Sequence, residues 1–388
     1  MHRSATDPRR RVLHLAQPVE GGVARVVLDL TKAQLAAGMR VTVGCPDGEL
    51  AETARELGAE VRGWRAGRSP GAGLGDEVRR LGRLLDEVRP ELVHAHSAKA
   101  GLAGRLAVRG RIPTLFQPHA WSFEAVGGVT AALALRWERW AARWAHRVVC
   151  VSEAERATGV RAGIRARYAV VPNGIDTDRF TPGAQDAPGR SGPATGRRPA
   201  PLVVCVGRLC PQKGQDVLLR AWPEVLRRVP DARLALVGDG PDGAELRRTA
   251  PGSVEFTGAV ADVGAWYRAA DLVVLPSRWE GMALAPLEAM ACGRPVLVTD
   301  VDGARESLPP AYDARCLVPP DRPDALAGAV TALLLDPGLR ATLGDRGRRH
   351  VQSTHDVRRT AEAVAELYRE LLGERPLMTF ECRESIHS

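Results

Sequence analysis

The sequence predicts an α/β protein built from two Rossmann-like domains whose parallel sheets face a central cleft. Three observations carry this. Short β-branched runs alternate with helical patterns through nearly the whole chain, the rhythm of parallel α/β units. The rhythm breaks once, at TPGAQDAPGRSGPATGRRPAP (181–201), which has no apolar period, and then restarts. The 388 residues also exceed what one hydrophobic core usually serves.

In the first half, 11–16, 40–46, 91–96, 113–119 and 147–152 read as strands, separated by helical segments such as 23–37 and 76–88. In the second half, strands are expected at 202–207, 233–238, 254–257, 272–276 and 295–299. After Pro323 the pattern is helical, and 357–372 has an apolar face suited to docking on a neighbouring domain. The expected divisions are therefore a first domain at 1–181, a flexible Pro/Gly/Arg linker at 182–200 and a second domain at 201–356. A helix at 357–374 crosses back to the first domain, and a frayed tail occupies 375–388.

Composition narrows the class. No segment has the roughly 18 to 20 unbroken apolar residues of a membrane span, and residues 1–11 lack the apolar stretch of a signal peptide. The expectation is a cytoplasmic chain, with peripheral contact at the inner face of the cell membrane left open. Seven scattered cysteines, none at metal-ligand spacing, read as reduced and mostly buried. The net charge of +8 suits anionic partners, yet the basic residues form no aromatic-interleaved patch, so nucleic acid is not expected. Only three of the 54 cations are lysines (Lys32, Lys99, Lys213), so a lysine in a loop is informative.

In open parallel sheets ligands bind beyond the carboxyl ends of the strands, which directs attention to three loops. Gln17-Pro18-Val19-Glu20-Gly21-Gly22 leads from the first strand into a helix beginning near Val23, freeing amides for an anion; a tight turn alone also explains its glycines. Val206-Gly207-Arg208-Leu209-Cys210-Pro211-Gln212-Lys213-Gly214 places two cations five residues apart, a spacing that can bracket a diphosphate. Ser277 to Gly293 contains Glu280, then Pro286 in the first turn of a helix and Gly293 at its end. That layout makes 282–285 an amide-rich entry and puts Glu288 in the first turn, where it can accept both hydroxyls of a ribose or merely complement the helix dipole.

The spacing Glu280 to Glu288 resembles the Glu-x7-Glu signature of retaining glycosyltransferase family 4, whose members share the two-domain GT-B fold. Gly21-Gly22, Val151-Ser152-Glu153, Pro172-Asn173-Gly174-Ile175-Asp176, Gly207-Arg208 with Lys213-Gly214, and Val237-Gly238-Asp239-Gly240-Pro241 match the family in order, from about 11 to 372. The resemblance implies a first domain for the acceptor and a second for the nucleotide sugar, with no cofactor and no required metal. It implies Arg208 and Lys213 on the donor diphosphate, Glu288 on the ribose, Glu280 on the transferred sugar, and His119 facing the reacting centre. The catalytic set is thus His119, Arg208, Lys213 and Glu280. The donor-binding set is Gly21, Gly22, Asn173, Gly207, Gly240, Met282, Ala283, Leu284 and Glu288. Met282-Ala283 depart from the family's usual Phe-Gly, with Ala283 expected to restrict the backbone beside the sugar.

His96 to Gly101 with His119 to Phe123 resembles the branch acting in exopolysaccharide or lipid-linked oligosaccharide assembly. The expected activity is retaining transfer of a hexose or N-acetylhexosamine from a UDP- or GDP-sugar to a glycan or polyprenyl-diphosphate-linked acceptor. A soluble natural-product acceptor, or a non-catalytic nucleotide-sugar sensor, is the alternative. At 133–147, Trp137, Trp140 and Trp144 share one helical face flanked by arginines, which fits either core packing or a transient anionic membrane contact. No Asp-x-Asp pair stands out beside a suitable strand, so arginine, lysine and helix-end amides are expected to supply the positive charge.

Overall fold

A computed structural model describes residues 10–67, 71, 73–183, 200–310 and 312–373. Most of the linker, 184–199, and the whole expected tail, 375–388 with Cys382, lie outside the described residues.

The first sheet contains β1 (Arg11–Ala16), β2 (Arg40–Cys45), β3 (Glu60–Gly63), β4 (Leu92–His96), β5 (Thr114–Gln117), β6 (Arg147–Cys150) and β7 (Tyr168–Val170), in the order β3-β2-β1-β4-β5-β6-β7. The second contains β8 (Leu202–Val206), β9 (Arg233–Val237), β10 (Val254–Gly258), β11 (Leu272–Leu275), β12 (Val296–Thr299) and β13 (Leu317–Val318), in the order β10-β9-β8-β11-β12-β13. Every named pairing is parallel. Central strands such as Leu272–Leu275 and Val296–Thr299 are buried along their whole length, which their continuous apolar runs dictate.

Chain order reverses between β1 and β4 in one sheet and between β8 and β11 in the other. Such switch points open a crevice at the strand tips. Gly21-Gly22 follow β1, Arg208 and Lys213 follow β8, and Glu280 follows β11, so the informative loops fall at these two crevices.

Helix Val357–Leu371 buries Thr360, Val364 and Tyr368 on one face and packs on Gly21–Ala36 of the first lobe. Its approach is tied down at Gly174, where a Cβ would come within 2.7 Å of the Asp356 carbonyl oxygen. Ile175 bridges to Asp356, and Thr177 donates to the Asp356 carboxylate at 2.6 Å. Among the described residues no single helix is long and apolar enough to cross a membrane.

Two expectations need correction. The tryptophan helix spans Gly128–Ala141, and Trp144 lies on a following 3-10 turn, Ala142–Trp144. The three rings pack on one another at 4.3 to 6.3 Å, with Trp137 also beside Arg105 and Trp140 left exposed. The helix expected around Pro286 runs over Leu284–Ala291 with Ala283 as its N-cap, which moves Glu288 out of the first turn to the fifth helical position.

Candidate active site

On the second lobe, the loops after β8 and β11 interlock. Gly214 has φ +64°, and a Cβ there would overlap the Pro276 carbonyl oxygen, so only glycine lets the two loops meet. The stem of Lys213 lies over Gly207, 3.6 Å from where a Cβ would stand. Its ammonium pairs with Oε1 of Glu280, which also accepts a 2.8 Å hydrogen bond from Ser277 Oγ. Arg278 fixes the base of the loop by bidentate pairing with Asp216 at 2.7 and 2.9 Å. The guanidinium of Arg208 has no partner among the described residues. Gly240 serves close approach, since a Cβ there would overlap the backbone of Leu209.

Met282, Ala283 and Leu284 enter the helix of the second crevice. Ala283 has φ −72° and ψ 142°, ordinary extended backbone, so alanine costs nothing here, contrary to the sequence expectation. No side chain caps this helix, and the amides of Leu284 and Ala285 begin it; the third, Pro286, has none to offer. Glu288 accepts from Tyr267 Oη at 2.8 Å. Burial pushes its carboxyl above the usual carboxylate range, opposed by Tyr267 and by Arg25 of the first lobe. Asp29, beside Arg25, is held up at about 6, chiefly by burial and then by the charges of Asp176 and Glu288. Glu288 therefore faces the first-lobe helix Gly21–Ala36 across the cleft.

On the first lobe, Gly21 has φ +77°, and a Cβ on Gly22 would stand 3.8 Å from Leu284, so the two helix starts meet. His119 and Ala120 both have positive φ, +59° and +122°. This rare pair is stabilised by Glu155, which accepts from Ala120 N and Val151 N, each at 2.7 Å. Directly opposite stands Gly281, where a Cβ would lie 3.1 Å from Ala120 N and 3.0 Å from Glu155 Oε1. The His119 turn and the Glu280 loop are thereby in contact. The ring of His119 donates to or accepts from His96 at 3.2 Å, and burial lowers it to about 3, so it is neutral near pH 7.

Contacts that the sequence did not foretell hold the lobes together. Ser152 Oγ donates to Gly281 O at 3.1 Å, and Thr158 donates to Asp302 at 2.7 Å. Glu306 accepts from the Glu153 and Ala154 amides at 2.7 and 2.8 Å, capping a first-lobe helix with a second-lobe carboxylate. Asn173, expected on the donor, gives its amide to Met282 O at 2.8 Å, so the side chain holds the donor loop from behind. An Asp-x-Asp pair does follow a strand: Asp300-Val301-Asp302 comes directly after β12, but Asp300 pairs with Arg305 and Asp302 with Thr158.

Two facing parallel sheets, a cation and carboxylate set at one switch point, and a histidine turn opposite define a GT-B glycosyltransferase. The profile of Glycosyltransferase Family 4 matches residues 20–179, and that of Glycosyl transferases group 1 matches residues 200–336. The chain belongs to glycosyltransferase family 4. It is 34% identical, over 90% of its length and 95% of the relative's, to the GDP-mannose-dependent α-(1-6)-phosphatidylinositol monomannoside mannosyltransferase of Mycolicibacterium smegmatis. It is 29% identical to the UDP-Gal:α-D-GlcNAc-diphosphoundecaprenol α-1,3-galactosyltransferase of Escherichia coli, over 58% of this chain and 61% of that one. Among solved structures, Anabaena HepE with UDP and glucose superposes with a TM-score of 0.78 at 24% identity, covering 93% of this chain and 99% of that one. The sucrose-phosphate synthase of Thermosynechococcus elongatus gives 0.79 at 25%, covering 94% and 100%.

Proposed function

We propose that this glycosyltransferase moves mannose from GDP-mannose, with retention at the anomeric carbon, onto a lipid-linked acceptor in cell-envelope glycan synthesis. The observation that carries the reading is the Lys213–Glu280 pair at the tip of the second switch point, in contact with the His119 turn across the cleft. The donor and acceptor classes rest on the mycobacterial relative, which aligns over nearly its whole length.

Arg208 and Lys213 hold the departing diphosphate, and the amides of Leu284 and Ala285 add positive potential at its far side. Glu280 orients hydroxyls of the transferred sugar, and Glu288, with one oxygen on Tyr267, offers the other to the ribose. The anomeric C–O bond breaks with its electron pair going to the leaving phosphate. The acceptor oxygen attacks from that same face and passes its proton to the phosphate oxygen. These cations carry the charge without a metal, so excess chelator leaves turnover unchanged.

The acceptor is reached at an anionic membrane. Helix Gly128–Ala141 exposes Val129 (78%), Leu133 (63%) and Trp140 (43%), with Arg143 stacked on Trp140 at 4.7 Å. Beside it a cavity of about 760 Å³ is lined by Arg143, His146, Arg147, Arg165, Arg167 and Leu371. Apolar side chains flanked by cations fit an anionic lipid surface. Sedimentation with phosphatidylcholine vesicles, with and without phosphatidylglycerol, checks this. Binding is expected only with the anionic lipid and is lost in Leu133→Glu/Trp140→Glu; equal binding to both vesicles refutes it.

The test of function is transfer by the purified full chain from GDP-mannose, set against UDP-sugars, to phosphatidylinositol-linked, polyprenyl-diphosphate-linked and soluble acceptors. Product from GDP-mannose with an α-linkage by NMR, lost in Glu280→Ala, supports the reading. Tight donor binding without turnover on any acceptor points to the sensor alternative.

A further inference from the structure

Behind His119 lies an unbroken line of buried polar side chains that the reaction itself does not use. His14 of β1 and His94 and His96 of β4 are fully buried. His119 Nε2 meets His96 Nδ1 at 3.2 Å, His96 Nε2 meets His14 Nδ1 at 3.0 Å, and His14 Nε2 meets Gln34 Oε1 at 2.8 Å. Gln34 Nε2 donates to Tyr368 Oη at 3.3 Å, and Tyr368 Oη meets His94 Nδ1 at 2.8 Å. The rings of His14, His96 and His119 stack at 5.2 and 5.5 Å.

We propose that Gln34 and Tyr368 are positioning residues that set, through His14 and His96, which ring nitrogen of His119 carries the proton. A neutral imidazole has one donor and one acceptor nitrogen, so each hydrogen bond in a chain of such rings dictates the next. Gln34 Oε1 only accepts, so His14 carries its proton on Nε2 and accepts at Nδ1. His96 then donates from Nε2 and accepts at Nδ1, and His119 donates from Nε2. The Nδ1 of His119 is left as a bare acceptor for a substrate hydroxyl. Tyr368 holds the amide in this sense by accepting from its nitrogen and donating to His94; an inverted amide reverses every proton along the line.

Burial keeps all four rings neutral: His14 is lowered to about 4, His119 to about 3, and His94 and His96 lie well below the ordinary histidine value. Three of these rings, His14, His94 and His96, have nitrogens within 4.8 Å of one another, a spacing open to a metal. The ring nitrogens of His14 and His96 are, however, spent on hydrogen bonds, and among the described residues no carboxylate joins the group. Tyr368 sits on the helix that returns from the second lobe, so this last helix reaches the reacting centre through hydrogen bonds alone.

The inference rests on the proposed place of His119 at the reacting centre, and the experiment separates the two. Full-length protein labelled with ¹⁵N-histidine, read by long-range ¹H–¹⁵N correlation at neutral pH, is expected to give Nε2–H tautomers for His14, His96 and His119. Gln34→Glu, which keeps an acceptor, retains that pattern and the wild-type kcat. Gln34→Leu, which has none, mixes the His119 tautomers and lowers kcat by about two- to tenfold, the worth of one neutral hydrogen bond, with donor KM unchanged. An Nδ1–H tautomer at His119, stoichiometric metal in the purified protein, or a changed tautomer with unchanged kcat overturns the relay. If His119→Asn transfers at the wild-type rate, the placement of His119 falls and the relay's role with it, even where the tautomers are as expected.

Discussion

Replacing Lys213 by methionine separates what this cation does for the fold from what it does for the donor. Methionine keeps a stem over Gly207, and the ammonium that balances Glu280 is lost. Removing one partner of a buried ion pair costs about 3–5 kcal/mol. Here a fifth of the lysine side chain and a tenth of the glutamate remain in solvent, so screening brings the expected loss to about 2 kcal/mol. In Lys213→Met/Glu280→Gln both charges go, while the amide still accepts from Ser277, and the loss shrinks to about 1 kcal/mol. With Glu280→Gln alone expected to cost up to about 1 kcal/mol, the cycle yields a coupling of about 1–2 kcal/mol in urea unfolding. Turnover behaves otherwise: either single change and the double each lower kcat at least about 100-fold, because the diphosphate loses a preorganised cation and the sugar its carboxylate. A double variant that regains both stability and turnover would make Lys213 a counter-ion for Glu280 and nothing more, which refutes its assignment to the donor.

Asp29→Asn should stabilise the protein at pH 8 but hardly at pH 4. The folded chain keeps a proton on Asp29 that the unfolded chain releases between 3.8 and about 6, so stability falls through that window and stays lower above it. The difference to be seen in urea melts is about 3 kcal/mol, with the Arg25 pair already counted in the raised value. The buried histidines act in the opposite sense: their lowered values mean the unfolded chain binds more protons below pH 6.5, so their own contribution to stability falls from pH 6.5 towards 4 while those of Asp29, Glu124 and Glu155 rise. Histidine titration followed by NMR checks this: a cluster ring that protonates near pH 6.5 contradicts the neutral cluster. Gly303→Ala combines φ +72° with overlap on the Gly281 carbonyl oxygen and should cost about 2–4 kcal/mol, whereas Gly252→Ala, with open space around it, should stay within about 0.5 kcal/mol.

The central strands were legible because burial on both faces writes an unbroken apolar run, as in Leu272–Leu275. β3, β7 and β13 were not, since they are edge strands of two to four residues whose half-exposed side chains leave no such pattern. Among the site candidates, Arg208, Lys213 and Glu280 could be placed together from spacing, since they stand in the loops that follow two neighbouring strands. Glu288 was set a turn too early because Pro286 fits the third helical position as well as the first. Glu155 and Glu306 left no signal: each addresses a backbone group of a distant segment, and a backbone group has no residue type to recognise.

That dependence on backbone contacts has a consequence for the cleft. The loop 280–282 is held from the first lobe by Ser152 on Gly281 O and Asn173 on Met282 O, and from its own lobe by Lys213 on Glu280. Gly281, between them, leaves no room for a side chain against Ala120 and Glu155. The carboxylate assigned to the sugar in the proposed function and the carbonyls that fix the lobes thus belong to three consecutive residues. A donor that draws Lys213 to its diphosphate loosens one restraint on this loop and leaves Ser277 on Glu280 with the two first-lobe hydrogen bonds, so the position of Glu280 is then shared between its own lobe and the lobe that presents His119.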